Sequence, residues 1–114
     1  VYVSDWIANR IQKFDSQGNF LLKWGILGTG DGQFNAPIGL AVDPVGNVYI
    51  CDMANRRIQK FDSNGTFLAK FGVPGAGSGG FGWPVGVAVD SQGNVAVSDY
   101  SGALVQVFSP ELEQ

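Results

Sequence analysis

The sequence contains no histidine and a single cysteine, Cys51, among its 114 residues. Without histidine, the chain can use neither imidazole acid–base catalysis nor the common zinc sites that need histidine ligands. With one cysteine the chain can form no intrachain disulfide, so its cysteine content does not indicate whether it works in a reducing or an oxidising compartment. Cys51 stands in a strand-like run where related runs have Ser4 and Ser98. We therefore expect a small buried side chain there rather than a reactive thiol.

Basic residues and long apolar runs are also scarce. Seven lysine and arginine residues stand against ten aspartate and glutamate residues, with a pI near 4.5. This balance argues against a nucleic-acid partner, because such proteins generally need a basic surface. No apolar run approaches the ~18 residues of a membrane span. Few lysines, many glycines and aspartates and the low pI favour an extracytoplasmic bacterial or archaeal protein.

What the chain does contain is a tandem repeat with a period of 47 residues. Residues 1–47 and 48–94 align without insertion or deletion, with about 26 identical positions, and residues 95–114 begin a third copy. Repeats of this length are typical of solenoids and propellers, in which one copy cannot bury its apolar face without neighbours. We therefore predict one repeat domain, residues 1–114.

Each copy carries four short strand patterns, which we name a, b, c and d. In and around the second copy they cover residues 39–43, 48–52, 57–61 and 67–71. Tight turns join a to b and c to d, and a long glycine-rich link joins d to the next a. Because the chain starts with a b pattern, the predicted order is bcd, abcd, abc. This describes an all-β fold of about two and a half propeller blades, each full blade having four antiparallel strands.

Three further sets of recurring residues have predicted structural roles. Asp43 and Asp90 precede tight turns and are expected to initiate them. Phe34 and Phe81 are expected to lie buried under the links. Large aromatic side chains recur on the strands and should form the core between blades. They are Phe14, Phe20, Trp24, Phe61, Phe67, Phe71 and Phe108.

The repeat resembles the NHL repeat family over nearly the whole chain. The resemblance rests on Pro-x-Gly-x-Ala-Val-Asp, Gly-Asn-Val-Tyr-x-x-Asp, Arg-Ile-Gln-Lys-Phe and the Gly-x-Gly-x-Phe link. These motifs occur at residues 37–43 and 84–90, at 46–52, at 10–14 and 57–61, and at 30–34 and 77–81. It implies a β-propeller, typically six-bladed in this family, for which six such copies would need about 282 residues.

The length of the chain leaves two explanations. The sequence could be part of a longer propeller, which we favour, or several copies could assemble head to tail, for example as a trimer with two blades from each copy. Blades without neighbours would otherwise expose strand edges and apolar faces.

The candidate binding residues lie where the b–c connections and the d–a links share one face. The connections differ most between copies, and Trp6, Met53 and Tyr100 follow the shared aspartate. Such side chains suit interfaces, although they could also pack between blades. The predicted partner-binding residues are Trp6, Asn9, Arg10, Met53, Asn55, Arg56, Arg57, Trp83 and Tyr100. We expect no catalytic residue, metal or cofactor.

Asp5, Asp52 and Asp99 end strand b in each copy. They could line a central channel and bind a cation such as calcium. They could instead accept backbone hydrogen bonds or pair with the arginine five residues on. Asp99 is present where that arginine is replaced by Leu104, which favours the backbone role.

These observations predict a non-catalytic binding or scaffold module. Its partner would be a protein, the remaining blades of a propeller, or a carbohydrate. An alternative is an enzyme, since the resemblance extends to propeller lyases and esterases that hold a central metal with histidines and carboxylates. A second alternative is RNA binding, as in tripartite-motif members of the family. For that role the loops offer only Asn9, Arg10, Arg56 and Arg57.

Overall fold

Three antiparallel sheets follow one another along the chain in the computed structural model, which describes residues 1–74, 80–100 and 104–109. The first blade consists of β1 (Tyr2–Asp5), β2 (Arg10–Phe14) and β3 (Phe20–Trp24). The second blade consists of β4 (Pro37–Val42), β5 (Val48–Asp52), β6 (Arg57–Phe61) and β7 (Phe67–Phe71). The third blade consists of β10 (Pro84–Val89), β11 (Val95–Asp99) and β12 (Leu104–Phe108). The predicted strand order bcd, abcd, abc is confirmed.

The remaining elements are short. A 3-10 turn, Met53–Asn55, lies between β5 and β6, and β8 (Val73–Pro74) pairs in parallel with β9 (Gly80–Phe81). Within the described ranges, no helix has the length and apolar character needed to cross a membrane. The predicted third b–c connection at 101–103 and the first glycine of the second link motif, Gly77, lie outside the described residues.

Tight turns close the hairpins of every blade in the same way. Each turn begins with an aspartate whose Oδ1 accepts backbone N–H groups two and four residues later, as Asp43 does from Val45 (3.0 Å) and Asn47 (2.9 Å). A glycine at the fourth position takes a positive φ, +96° at Gly46, which other residues rarely adopt. Asp90 forms the same turn, so the predicted role of both aspartates is confirmed.

The second blade is covered on both faces, and its strand β5 shows this directly. All five residues of β5 are buried, because alternate side chains point to opposite neighbours. Val48 and Ile50 pack towards the first blade, whereas Tyr49 and Cys51 pack towards the third. Phe34 and Phe81 are fully buried in these two clusters, as predicted.

Two of the predicted core aromatics, Phe14 and Phe20 of the first blade, belong to neither buried cluster. Phe20 is 53% exposed, so the prediction that it lies buried between blades is wrong. Its counterpart Phe67 packs against Phe61, with ring centroids 5.9 Å apart, in the cluster between the first and second blades. Phe20 makes the corresponding contact with Phe14 at 6.0 Å, but on the face of the first blade that no described blade covers.

The innermost strands of adjacent blades approach very closely. A Cβ atom at Gly39 in β4 would lie 2.4 Å from the carbonyl oxygen of Val85, which belongs to β10 of the next blade. On the other side, the Ser4 hydroxyl of β1 donates to the Ile38 carbonyl at 2.6 Å. Small residues in these strands therefore set the spacing between blades.

The turn aspartates make the stability of the fold depend on pH in the acid range. Hydrogen bonds lower the pKa of three of them, from the Asn19 backbone to Asp15, from the Thr66 backbone to Asp62 and from the Asn94 side chain to Asp90. A lowered folded-state pKa gives stability that is complete above the unfolded value of ~3.9 and is lost as pH falls through the folded value. We expect the melting temperature to fall between about pH 5 and the folded pKa values.

A triple variant Asp15→Asn, Asp62→Asn, Asp90→Asn tests this expectation. Asparagine keeps the turn hydrogen bonds but carries no proton that titrates in acid, so the variant should lose less melting temperature than the parent over that range. Circular dichroism melts of both proteins at several pH values provide the measurement. If the melting temperatures of parent and variant fell equally with pH, the acid dependence would not come from these three aspartates.

Candidate functional site

A buried ion pair holds the link between the first and second blades. Asp52 and Arg57 face each other across β5 and β6, and the Arg57 Nε donates to the Asp52 Oδ2 at 2.8 Å. The rest of the guanidinium donates to the carbonyls of Thr29 (2.8 Å), Gly30 (2.9 Å) and Gln33 (2.9 Å). Link carbonyls that lack strand partners are satisfied in this way.

Two further side-chain contacts complete this arrangement. Gln59 donates to the Gln33 carbonyl at 2.7 Å and accepts the Gly32 N–H at 2.9 Å. The other oxygen of Asp52 accepts the Asn35 N–H at 2.7 Å. We call Asp52, Arg57 and Gln59 the link anchor. Its carboxylate both pairs with arginine and accepts a backbone hydrogen bond, so the two structural roles predicted for Asp52 occur together.

The third blade holds its own link with the corresponding aspartate and glutamine. Asp99 accepts the N–H groups of Gly82 (2.8 Å) and Trp83 (3.0 Å), and Gln106 donates to the Gly80 carbonyl at 2.8 Å. The backbone role predicted for Asp99 is confirmed. Among the described residues, no group of three or more acidic or cysteine side chains is placed to hold a metal ion.

Three of the nine predicted partner-binding residues are committed to the link. Arg57 is only 8% exposed, so its side chain is not available to a partner, contrary to the prediction. The Asn9 Oδ1 accepts the Ala36 N–H at 2.8 Å, and the Asn55 Nδ2 donates to the Gly28 carbonyl at 2.8 Å. The physical reason is the same in each case, since a link without strand pairing needs side-chain partners.

Three other predicted residues come together on the outer surface. The Arg56 guanidinium lies 5.8 Å from the centroid of the Trp83 ring, and the Tyr100 N–H donates to the Trp83 carbonyl at 2.9 Å. Arg56 is exposed, and Trp83 and Tyr100 are 40% and 78% exposed. We call Arg56, Trp83 and Tyr100 the aromatic cluster. It joins the b–c connection of the second blade to the link and connection of the third.

Of the remaining predicted residues, Trp6 and Arg10 belong to the first blade, whereas the Met53 carbonyl accepts the Arg56 N–H at 3.1 Å. Trp6 is 60% exposed on the b–c connection of the first blade, whereas Met53 is half-buried at the start of the 3-10 turn. At the edge of the first blade, the Arg10 Nε lies 3.8 Å from the Asp5 Oδ2. Cys51 is fully buried, and burial raises the pKa of its thiol to about 12, so it stays protonated and unreactive.

The sequence interpretation missed the glutamines of the link anchor. Gln59 and Gln106 each hold a link, and Gln12 recurs at the same place in the repeat. This recurrence was the available signal, because the glutamine is present even in the otherwise apolar third strand, Leu-Val-Gln-Val-Phe at residues 104–108, where a buried polar side chain needs a partner.

The blades, their links and this loop face define a segment of a β-propeller. The sequence pattern of the NHL repeat matches residues 34–61 and 81–108. The chain belongs to the NHL-repeat family, as its motifs predicted. A comparison with curated protein sequences gives no significant match.

Several solved structures share the fold. A protein of unknown function from Bacteroides thetaiotaomicron superposes with a TM-score of 0.81 at 21% identity, covering 95% of this chain and 32% of that one. A streptogramin B lyase gives 0.61 at 18% identity, with 90% and 34% covered. A gluconolactonase from Xanthomonas campestris gives 0.58 at 21%, with 87% and 30% covered. The chain thus spans about a third of these structures, and at such identities the likeness concerns the fold alone.

Two adjacent arginines test the link anchor. Arg57→Leu leaves Asp52 buried without its cation, and we expect a loss of about 3–5 kcal/mol in the free energy of unfolding. Arg56→Leu removes the same charge from an exposed position and should change stability by less than about 0.5 kcal/mol. Urea unfolding of both variants measures the difference. Equal effects would mean that Asp52 and Gln59 hold the link without the arginine.

Proposed function

We propose that the chain is a non-catalytic binding module whose partner docks on the aromatic cluster. The supporting observation is the direct contact of an exposed arginine with an exposed tryptophan beside an exposed tyrosine. Tryptophan, tyrosine and arginine are the residue types that contribute most of the binding energy in protein interfaces. Their position on connecting loops held by a rigid scaffold is typical of binding surfaces.

The backbone beneath the cluster is fixed before any partner arrives. Asp99 accepts the Trp83 N–H and Tyr100 donates to the Trp83 carbonyl, so both polar groups of that backbone unit are satisfied. A preorganised surface loses less conformational entropy on association than a mobile loop does. This supports recognition by the cluster as it stands.

The chemistry of the cluster suits two classes of partner. The indole and phenol rings offer apolar surface with polar edges, and the Arg56 guanidinium offers several hydrogen-bond donors. An apolar side chain next to backbone carbonyls in a protein meets these requirements. A sugar ring with its apolar face and hydroxyl groups meets them as well.

The binding proposal predicts a specific mutational pattern. The chain is screened against an immobilised oligosaccharide panel and a displayed peptide library, and each selected ligand is titrated by calorimetry. We expect Trp83→Ala and Tyr100→Ala each to weaken binding by about 2 kcal/mol, roughly thirtyfold. The control is Val45→Ala, since Val45 is 84% exposed in a tight a–b turn. Ligands that bind the double alanine variant unchanged would refute the proposal.

We also propose that further blades of the same kind cover two exposed faces. One is the face of the first blade that carries Val1 and Val3, and the other is the face of the third blade that carries Val105. Val1 and Val3 are 71% and 45% exposed in the first blade, whereas their counterparts Val48 and Ile50 are fully buried in the second. Val105 is 65% exposed in the third blade, and its counterpart Ile58 is also fully buried. The same positions become core wherever a neighbouring blade is present, which supports blade-to-blade association as their use.

Light scattering tests this second proposal. We expect the chain to associate with itself, and a closed ring of three copies would have a mass near 36 kDa, three times 12.1 kDa. Val3→Lys places a charge on one outer face and should shift the protein towards monomer. A folded monomer at all concentrations would rule out association through these faces.

A further inference from the structure

Arg56 and Trp83 replace a structural pair of the preceding blade junction. Asn9 and Ala36 stand one period of 47 residues before them, and the Asn9 Oδ1 accepts the Ala36 N–H at 2.8 Å. The Trp83 N–H donates instead to Asp99 at 3.0 Å, and the Arg56 guanidinium lies 5.8 Å from the centroid of the Trp83 ring. The same place in the fold therefore holds a backbone contact in one copy and an exposed stacked pair in the next.

The backbone at Arg56 points to a use for its side chain. Asn9 and Arg56 both take the left-handed conformation, with φ of +57° and +58°. Asparagine tolerates this conformation better than most residues do, whereas arginine has no such preference. The local backbone gives no reason for an arginine here, so the reason lies in the exposed guanidinium.

The two adjacent arginines differ in what their guanidinium groups bind. Arg57 donates to Asp52 and to three carbonyls of the link. The Arg56 side chain makes no hydrogen bond or ion pair with any described residue, and its contact is the Trp83 ring. Stacking on an indole uses the flat face of a guanidinium and leaves the N–H groups at its edge free. A planar fork of free donors matches the two oxygens of a carboxylate.

The carboxylates that lie next to the cluster in the sequence are already bound. Asp99 precedes Tyr100, is 5% exposed and accepts the Trp83 N–H, and Asp52 is fully buried against Arg57. The aromatic cluster itself contains one cation. Charge complementarity therefore favours a ligand that brings one carboxylate to this point, rather than a polyanion such as a nucleic acid, which needs several cations.

Given the binding function proposed above, on which this step rests, we propose that the partner is an acidic oligosaccharide that contains a hexuronate. The carboxylate of the uronate pairs with the edge of the Arg56 guanidinium. The apolar face of its sugar ring packs against Tyr100 and the exposed part of Trp83, which offer aromatic surface with polar edges.

A uronate fits the cluster better than an acidic side chain of a protein does. Its carboxylate is attached directly to the sugar ring, so one rigid unit makes both the ion pair and the apolar contact. An aspartate or glutamate would need a second residue for the apolar contact, and ordering these side chains costs conformational entropy. The size of the site agrees, because a stable protein interface involves about 20–30 residues on each side, whereas the cluster consists of three side chains.

The probes are trimers of galacturonate, mannuronate and guluronate, each with its methyl ester, which keeps the rings but carries no charge. Each probe is titrated into the full chain by calorimetry in a buffer without divalent cations. We expect saturable binding of at least one acid and about tenfold or more weaker binding of its ester, because the charge-assisted hydrogen bonds are lost. Added salt should weaken the binding of the acid and leave that of the ester unchanged.

Three variants locate the charge that the acid recognises. Arg56→Leu should bind the acid as weakly as the parent binds the ester. Arg56→Lys keeps the charge but not the planar fork, and it should retain only part of the affinity. Lys23→Leu is the matched control, because it removes one exposed positive charge from β3 of the first blade and should bind the acid as the parent does.

The outcomes separate this proposal from the binding function on which it rests. Equal binding of acid and ester, with both lost in Trp83→Ala, would overturn the uronate and keep the binding function. Absence of saturable binding by all three acids also overturns the uronate, and a peptide or neutral sugar that still binds through Trp83 and Tyr100 then keeps the binding function. Equal losses for Arg56→Leu and Lys23→Leu would mean an unspecific charge effect and overturn the uronate site. An acid that binds the Trp83→Ala, Tyr100→Ala double variant unchanged would overturn both proposals.

Discussion

The carboxylate that ends strand b is the group on which the loop face depends. Buried Asp52 would be unfavourable alone, and it is stable because Arg57, Asn55, Gln59 and the Asn35 N–H surround it. The same contacts satisfy the link that passes over them. The aromatic cluster rests on the third-blade version of this arrangement, because Asp99 accepts the Trp83 N–H.

The fold was readable from the sequence because its period is strict. A repeat of 47 residues without gaps transfers every strand assignment from one copy to the next, and two-residue alternation shows which strands are buried. The strand order of the three sheets followed from this pattern alone. The exposure of Phe20 did not, because burial depends on whether a neighbouring blade lies against that face, and the pattern treats all copies alike.

The candidate site was only partly predictable for a related reason. Periodicity identifies equivalent positions, whereas the aromatic cluster joins non-equivalent ones, Arg56 from one connection and Trp83 from the next link. The difference in burial between Arg56 and Arg57 was easier to predict from the sequence. Arg57 shares strand parity with Gln59 and buried Phe61, while Arg56 precedes the strand in the left-handed conformation, with φ of +58°.

The third repeat shows which part of the link anchor the fold requires. It has Leu104 in place of arginine, yet its link is held by Asp99 and Gln106 through backbone groups. The arginine therefore strengthens and selects a link rather than making one possible. In the second repeat that selection falls on a link whose Asp31 also pairs with Lys70. In the first repeat the equivalent arginine and lysine, Arg10 and Lys23, line a cavity instead.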